Sequence, residues 1–146
     1  MRSLLHGIRR LIVPVALLLS PVTLRPADSL TLREIMAGLG RHMEAITAAI
    51  SREDWPSVSA EAARIAGHPQ PPISEKVRIM GFAGTRVNQF RTYDSGARRQ
   101  AQAVGAAADA GDGPGAILAF AKLQESCLGC HQAFRKAYVQ HVREAR

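Results

Sequence analysis

The C-terminal part of the chain reads PGAILAFAKLQESCLGCHQAFRKAYVQHV from residue 114 to residue 142. Alanine, leucine, glutamine and lysine favour a helix here, and no period-two alternation typical of a strand interrupts it. One face of that helix carries Ile117, Phe120, Cys127, His131, Phe134 and Tyr138. The segment is therefore predicted to be an amphipathic helix.

Two more amphipathic helices are predicted in the first half of the domain. The first begins near Ser29 or Thr31, because both residue types are good N-caps. Its apolar stripe contains Leu32, Ile35, Met36, Leu39, Met43, Ile46 and Ile50. The second begins at Trp55-Pro56, where proline suits the first turn, and stops at Gly67. A proline-rich connection then follows.

A third, long helix is predicted from Ser74 to about Ala108. Glycines weaken it and predict a bend or the close approach of a neighbouring helix. These glycines are Gly81, Gly84, Gly96 and Gly105. Four amphipathic helices with short connections predict an all-α fold, an antiparallel four-helix bundle over residues 28–146.

The composition agrees with one small domain. Of the 146 residues, 47% are hydrophobic, which is too many for a disordered chain. Two cysteines are too few for a miniprotein held together by disulfides. The longest apolar run, residues 11–19, is too short to cross a membrane as a helix. We therefore expect no membrane span in the mature protein.

Residues 1–27 have the order of a secretory signal peptide, since Arg9 and Arg10 precede the apolar run and prolines end it. An amphipathic first helix is the alternative, but a nearly charge-free run makes a poor amphipathic stripe. Removal of this segment leaves 15 basic and 12 acidic residues, a net charge of +3. Because these charges are scattered, we expect no nucleic-acid partner. The mature chain, residues 28–146, is expected in the periplasm.

A Cys-x-x-Cys-His motif occupies residues 127–131 in the fourth helix, and it is the attachment signature of a c-type haem. Two thiols one helical turn apart can add to the two vinyl groups of one porphyrin edge. The histidine then stands under the iron as an axial ligand. The motif predicts one covalent haem c on Cys127 and Cys130, with its iron on His131. Export supports this prediction, because c-type haem is attached outside the cytoplasm.

Three other interpretations of the two cysteines fit less well. A structural zinc site needs further ligands, yet the chain has no other cysteine and its histidines lack finger-like spacing. A thioredoxin-like redox pair needs a strand before its helix. A disulfide between Cys127 and Cys130 would be sterically poor inside a helix.

With the motif in its last helix, the sequence resembles the class II cytochromes c, which comprise the cytochromes c-prime and their low-spin relatives. The resemblance covers residues 29–146. It includes the basic Arg135 four positions after His131 and the alanine-rich turn at residues 106–112. Met36 also matches. In the family, the residue on the side of the haem opposite the histidine lies four positions before a glycine, and that glycine is Gly40 here.

The resemblance implies two possible chemistries at the iron. If Met36 is the sixth ligand, a His131/Met36 site favours electron transfer, and this is the function we expect. If the distal face is open, the resemblance implies five-coordinate binding of nitric oxide or another small gas. Arg135 could pair with a haem propionate. The family arginine is replaced by Leu32, with Arg33 beside it, so its propionate contact is not carried over.

The sequence contains no second constellation that would support catalysis, so we expect a carrier and not an enzyme. Its partners would be other periplasmic redox proteins. Family members commonly form two-fold dimers, and a homodimer is expected here through apolar residues left outside the core. The residues predicted for that role are Leu30, Ile46, Ile50 and Val58. We expect His42, His68 and His141 to be solvated, Met43 to be a core residue, and Trp55 and Tyr138 to pack the bundle or a subunit interface.

Overall fold

The structure is a computed structural model that describes residues 31–144. The predicted signal peptide lies outside these residues, as does Leu30. The α-helices are α1 Leu32–Ile50, α2 Trp55–Ala66, α3 Ile73–Ala83, α4 Val87–Asp109, α5 Gly113–Cys130 and α6 Lys136–Glu144. The described part of the chain contains no strand, which confirms the all-α prediction. None of its helices has the length and apolar character that a membrane crossing requires.

Three of the helices, α1, α2 and α5, begin at a residue whose side chain caps them. Thr31 and Glu34 form a reciprocal capping box at the start of α1, as predicted for a threonine N-cap. The α2 and α5 helices share one device, an aspartate N-cap followed by proline in the first turn. Asp54 accepts a hydrogen bond from the amide of Ser57, and Asp112 accepts one from the amide of Gly115. Each cap satisfies an amide that the helix leaves free.

Two of the predicted helices are interrupted. The third is divided into α3 and α4 by a short 3₁₀ turn, Gly84–Arg86, because Gly84 has a φ of 54°, which no α-helix contains. The fourth runs from α5 into a π-helical turn, His131–Arg135, and then into α6. Four helical segments therefore remain, as predicted, but two of them are not continuous α-helix.

All four segments contribute to one core. Its members are Ile46 and Ala49 of α1, Val58, Ala62 and Ile65 of α2, Ala101, Val104 and Ala108 of α4, and Phe120 and Leu123 of α5. The α2 and α4 helices run in opposite directions, since Arg98 meets Ala66 while Gly105 lies against Ala62. The arrangement agrees with the predicted antiparallel bundle.

Glycine residues allow neighbouring helices of the core to approach each other closely. Gly105 faces Ser59 and Ala62, and a Cβ there would lie 3.8 Å from the Ser59 hydroxyl oxygen. At the α5 start, a Cβ on Gly113 would lie 2.9 Å from the Trp55 ring. The prediction that Trp55 packs the bundle is confirmed, and the predicted close approach occurs at Gly105.

Three sequence predictions about burial are wrong. Ile46 and Val58 are completely buried, so they cannot form a dimer surface, and Ile50 is the partly exposed residue of that set within residues 31–144. Ile117 is 54% exposed, because Ala116 and Phe120 turn inward instead. His68 is not solvated, since its side chain is only 8% exposed.

His68 belongs to a polar cluster that ties the proline-rich connection to α4. Its Nδ1 donates to the Ile65 carbonyl (2.8 Å), and its Nε2 lies 3.0 Å from an Asp94 carboxylate oxygen. Arg98 donates to Asp94 and to the carbonyls of Ala66 and His68. These contacts satisfy backbone groups that the end of α2 leaves free.

We expect Asp94→Asn to lower the free energy of unfolding at pH 7 by on the order of 1 kcal/mol, because the pair is half-exposed. The hydrogen bond from His68, with help from Arg98, holds the pKa of Asp94 below its ordinary value of 3.8. Stability from such a group is complete above the ordinary value and is lost as the pH falls through the lowered one. Urea unfolding should therefore separate the two proteins at pH 7 but not in strong acid.

Glu44→Gln is the control for this prediction, since Glu44 is an exposed carboxylate on α1. It should change stability little at either pH. A deficit of Asp94→Asn that persists unchanged in strong acid would contradict an origin in the charge of this carboxylate.

Candidate functional site

The motif residues lie where α5 changes its helical geometry. Cys127 and Cys130 are in the last turn of α5, and His131 is the first residue of the π-helical turn. Single π turns are rare and occur frequently at functional sites. The two cysteines are not joined by a disulfide, so their thiols are free for another bond.

Gly129, inside the motif, packs directly against α4. A Cβ at this position would lie 2.9 Å from a ring carbon of Tyr93. The Tyr93 ring also meets Phe134 edge-on, with ring centroids 6.3 Å apart. Tyr93 therefore holds the motif helix close to α4, which orients the flanking cysteines.

Burial determines the protonation of both thiols. Burial raises the pKa of the Cys127 thiol. For the Cys130 thiol, burial and then the nearby charges of Cys127 and Asp94 raise the pKa to about 11. Both thiols are therefore protonated at neutral pH. This disfavours a thioredoxin-like redox pair, whose chemistry depends on an accessible thiolate.

His131 is exposed at the molecular surface. Partial burial, and then the charge of Arg135 one turn further on, lower its pKa. Both effects favour the neutral imidazole, which is the form that binds a metal. Arg135 is itself exposed and acts on His131 through its charge.

An open cavity of about 470 Å³ adjoins the motif. Its lining includes Cys127, Leu128 and His131 from the motif segment and Met43 from α1. Met36, the predicted sixth ligand, is not among the lining residues and is 39% exposed. The structure thus brings Met43 to the motif, although both methionines belong to the apolar stripe of α1.

A set of large apolar side chains is left exposed at one end of the bundle, which we call the motif end and define as residues 32–40, 73–86 and 127–144. Six of the eight large hydrophobic residues that are exposed within the described chain belong to it. They are Met36, Ile73, Val77, Met80, Leu128 and Val139. Exposed apolar side chains that cluster in this way are candidates for a surface that another group covers.

The motif end is held together by few contacts. The Leu32 amide donates to Glu75 (2.9 Å), which joins the start of α1 to α3. Phe82 of α3 meets Tyr138 of α6 edge-on, with ring centroids 5.2 Å apart. The principal core cluster includes none of these residues. The motif end has buried residues of its own, among them Ile35, Ile79 and Phe134.

Within residues 31–144, no three His, Cys, Asp or Glu side chains come together as a metal-binding group. A structural zinc site would need such a group. Haem iron needs only axial ligands from the protein, because the porphyrin supplies four nitrogens. The donors at the cavity, the His131 imidazole and the Met43 thioether, are of the kinds that serve as axial ligands to haem iron.

The other histidines of residues 31–144 are His42, His68 and His141, and none of them lines the cavity at the motif. His42 bonds to Glu61 (2.6 Å), and His68 bonds to Asp94 as described. His141 is exposed and lies beside Phe82, with ring centroids 5.5 Å apart. Neither the π turn nor the position of Met43 was predicted from the sequence. The seven-residue spacing of the two methionines gave the only signal for Met43.

Comparisons of the chain with family models, curated proteins and solved structures give no match.

Proposed function

We propose that this protein is an exported monohaem c-type cytochrome that carries electrons. The observation that carries the proposal is the Cys-x-x-Cys-His motif at the transition from α5 to the π turn, with half-buried, unpaired thiols. The fold class and the position of the motif in the last helical segment also agree with the resemblance to class II cytochromes c. The cofactor would be one haem c with its iron.

In this proposal, each motif residue has one task. Cys127 and Cys130 hold the group covalently through their sulfur atoms, and His131 offers a neutral imidazole to the iron. Arg135 supplies a positive charge one turn away, which suits a propionate. When bound, the haem supplies a one-electron Fe(II)/Fe(III) couple.

The exposed apolar side chains of the motif end support the same proposal. Val77 is 59% exposed and Leu128 is 55% exposed. Covering such side chains with an apolar ring stabilises the assembly by about 25 cal/mol for each Å² removed from water. A haem attached at the motif would provide this cover and exclude water from the iron.

Met36 is proposed as the sixth ligand, which would make the protein an electron carrier. A thioether held by α1 keeps the iron in one coordination in both redox states. The exposed Met36 side chain can change rotamer without leaving a core cavity. The alternative function is gas binding at an open distal face, and the absence of Met36 from the cavity lining favours it.

The partners in this proposal are other exported redox proteins. The mild positive charge of residues 28–146 gives weak steering toward acidic surfaces. A homodimer remains part of the proposal, although Ile46 and Val58 are not available to form it. Its test is sedimentation at tens of micromolar protein, where a monomer would rule it out.

The optical spectrum of the reduced protein tests the proposed function. The protein should be made with a cytochrome c maturation system and reduced with dithionite. We expect sharp low-spin bands, because two strong axial ligands pair the iron electrons. A broad high-spin spectrum would assign the gas-binding function instead, and a chain without any haem absorption would contradict both.

A further inference from the structure

The outward side of α3 carries a row of apolar side chains. Ile73, Val77 and Met80 follow one another at spacings of four and three residues, which places them on one side of the helix. Ile73 is 80% exposed, the highest value among the large hydrophobic residues of the described chain. Ile79 and Ala83, on the other side of α3, are buried. The row therefore lies outside the core and is open to another group.

A haem beside the motif leaves part of this row in water. The open cavity there is lined by α1, α5 and the π turn, and no residue of α3 belongs to its lining. Ile73 and Met80 stand at the two ends of the row, about 10 Å apart along the helix axis. Filling the cavity therefore does not cover these two side chains.

The motif end also gathers the positive charge of the described chain. It carries seven basic and three acidic residues, a net charge of +4. The rest of residues 31–144 carries seven basic and eight acidic residues, a net charge of −1. The seven basic residues of the motif end are Arg33, Lys76, Arg78, Arg86, Arg135, Lys136 and Arg143. Charges that are scattered along the sequence thus come together at one end of the fold.

These basic side chains can act on a partner. Within the described chain, none of the seven forms an ion pair with a carboxylate, and six of them are exposed. Two of the three acidic residues already serve the fold, since Glu34 caps α1 and Glu75 accepts the Leu32 amide.

The charged surface is continuous with the motif. Arg86, in the 3₁₀ turn after α3, donates to the Ala133 carbonyl (3.3 Å) and lies over the Phe134 ring, 4.7 Å from its centroid. Ala133 and Phe134 belong to the π turn that begins at His131. A protein docked on α3 therefore lies next to the segment that would hold the haem.

We propose that the apolar row of α3 and the basic residues of the motif end form the docking surface for an acidic exported redox protein. This inference rests on the proposed function and names the chemistry of its partner. An apolar centre with a polar rim is the ordinary anatomy of a protein–protein interface. The positive charge steers an acidic partner to this end of the molecule and orients it there.

Two other occupants fit these observations less well. A second copy of the chain would bring the same charge of +4 to a two-fold contact at this end, and like charges repel. A helix that lies in an anionic membrane surface carries its basic residues on its own polar face. Here five of the seven basic residues lie outside α3.

The test measures how tightly plastocyanin, a small acidic copper protein, binds to the haem-loaded protein when both are oxidised, so that no electron is transferred. At low ionic strength, Lys76→Glu with Arg78→Glu should raise the dissociation constant by about tenfold or more, because the reversed charges repel the probe. Arg52→Glu with Arg99→Glu is the matched control. It makes the same change of charge at exposed positions outside the motif end and should have a much smaller effect.

Ile73→Ser tests the apolar row, and its side chain is too exposed for the fold to depend on it. Its weaker binding should persist at high ionic strength, where the charge variants no longer differ, because salt screens charges and not apolar burial. In the wild type, plastocyanin should shift or broaden the amide NMR signals of α3.

The outcomes separate this inference from the proposed function, which covalent haem and its redox couple uphold whatever the docking result. Equal weakening by the two double variants, or no binding of plastocyanin, would overturn the inference alone. Binding to phosphatidylglycerol vesicles that only Lys76→Glu with Arg78→Glu abolishes, with plastocyanin binding unchanged, would assign the surface to a membrane instead. A dimer that this double variant dissociates would assign it to a second copy.

Discussion

Cys127→Ala together with Cys130→Ala is expected to abolish covalent attachment of haem to the protein. The physical reason is that each thioether bond needs a cysteine sulfur, and the described chain contains no other cysteine that could substitute. The measurement is peroxidase staining of a denaturing gel after expression with a cytochrome c maturation system. Only covalent haem remains on the chain in such a gel.

Ser126→Ala is the control for the cysteine variant. Ser126 lies next to the motif, and its hydroxyl donates to the Lys122 carbonyl of its own helix. Its replacement should leave the stained band intact. Covalent haem that persists in the double cysteine variant would contradict attachment at the motif, and an unstained wild-type protein would contradict the whole assignment.

Met36→Ala is expected to convert the reduced protein from a low-spin to a high-spin spectrum while leaving haem attachment intact. If Met36 is the sixth ligand, carbon monoxide would have to displace its thioether before it could bind the iron of the wild type. Without that ligand, binding should be faster by more than about tenfold, which corresponds to roughly 1.4 kcal/mol of barrier. Stopped-flow absorbance after carbon monoxide mixing measures this rate.

Met43→Ala is the matched comparison, because the structure brings Met43 and not Met36 to the cavity beside His131. If Met36 is the ligand, Met43→Ala should leave the spectrum low-spin and cost only packing. A fully buried methionine costs about 2–5 kcal/mol on truncation, and Met43 is partly exposed, so we expect the lower end. A high-spin spectrum of Met43→Ala alone would reassign the ligand to Met43.

One further outcome would change the function. If the wild type is already high-spin and Met36→Ala leaves the spectrum unchanged, then no methionine occupies the distal side. The electron-carrier proposal would then be wrong, and gas binding at an open face would replace it.

Much of the secondary structure follows from local sequence, because the causes act within one or two turns. The capping of α1 by Thr31 was predicted, and the ends of α2 at Trp55 and Gly67 were predicted to within one residue. Gly84 was among the glycines expected to disturb the third helix, and its positive φ divides that helix. A cap, a proline or a left-handed glycine needs no distant partner to have its effect.

The site could be predicted only in part. The motif defines the two thiols and the imidazole, since its spacing fits one helical turn. Its sequence contains no signal for the π turn at His131. The buried hydroxyl of Tyr138 depends on the position of Phe82 in another helix.

The sequence by itself determined the helices, their caps and the Cys-x-x-Cys-His motif, since each depends on residues close together in the chain. Tertiary structure decided which members of an apolar stripe are buried, so that Ile46 joins the core while Met36 stays exposed. It also brought His68 to Asp94 and placed Met43 and His131 at the same open cavity. Periodicity defines a face of a helix, but only the packing of neighbouring helices decides which part of that face is covered.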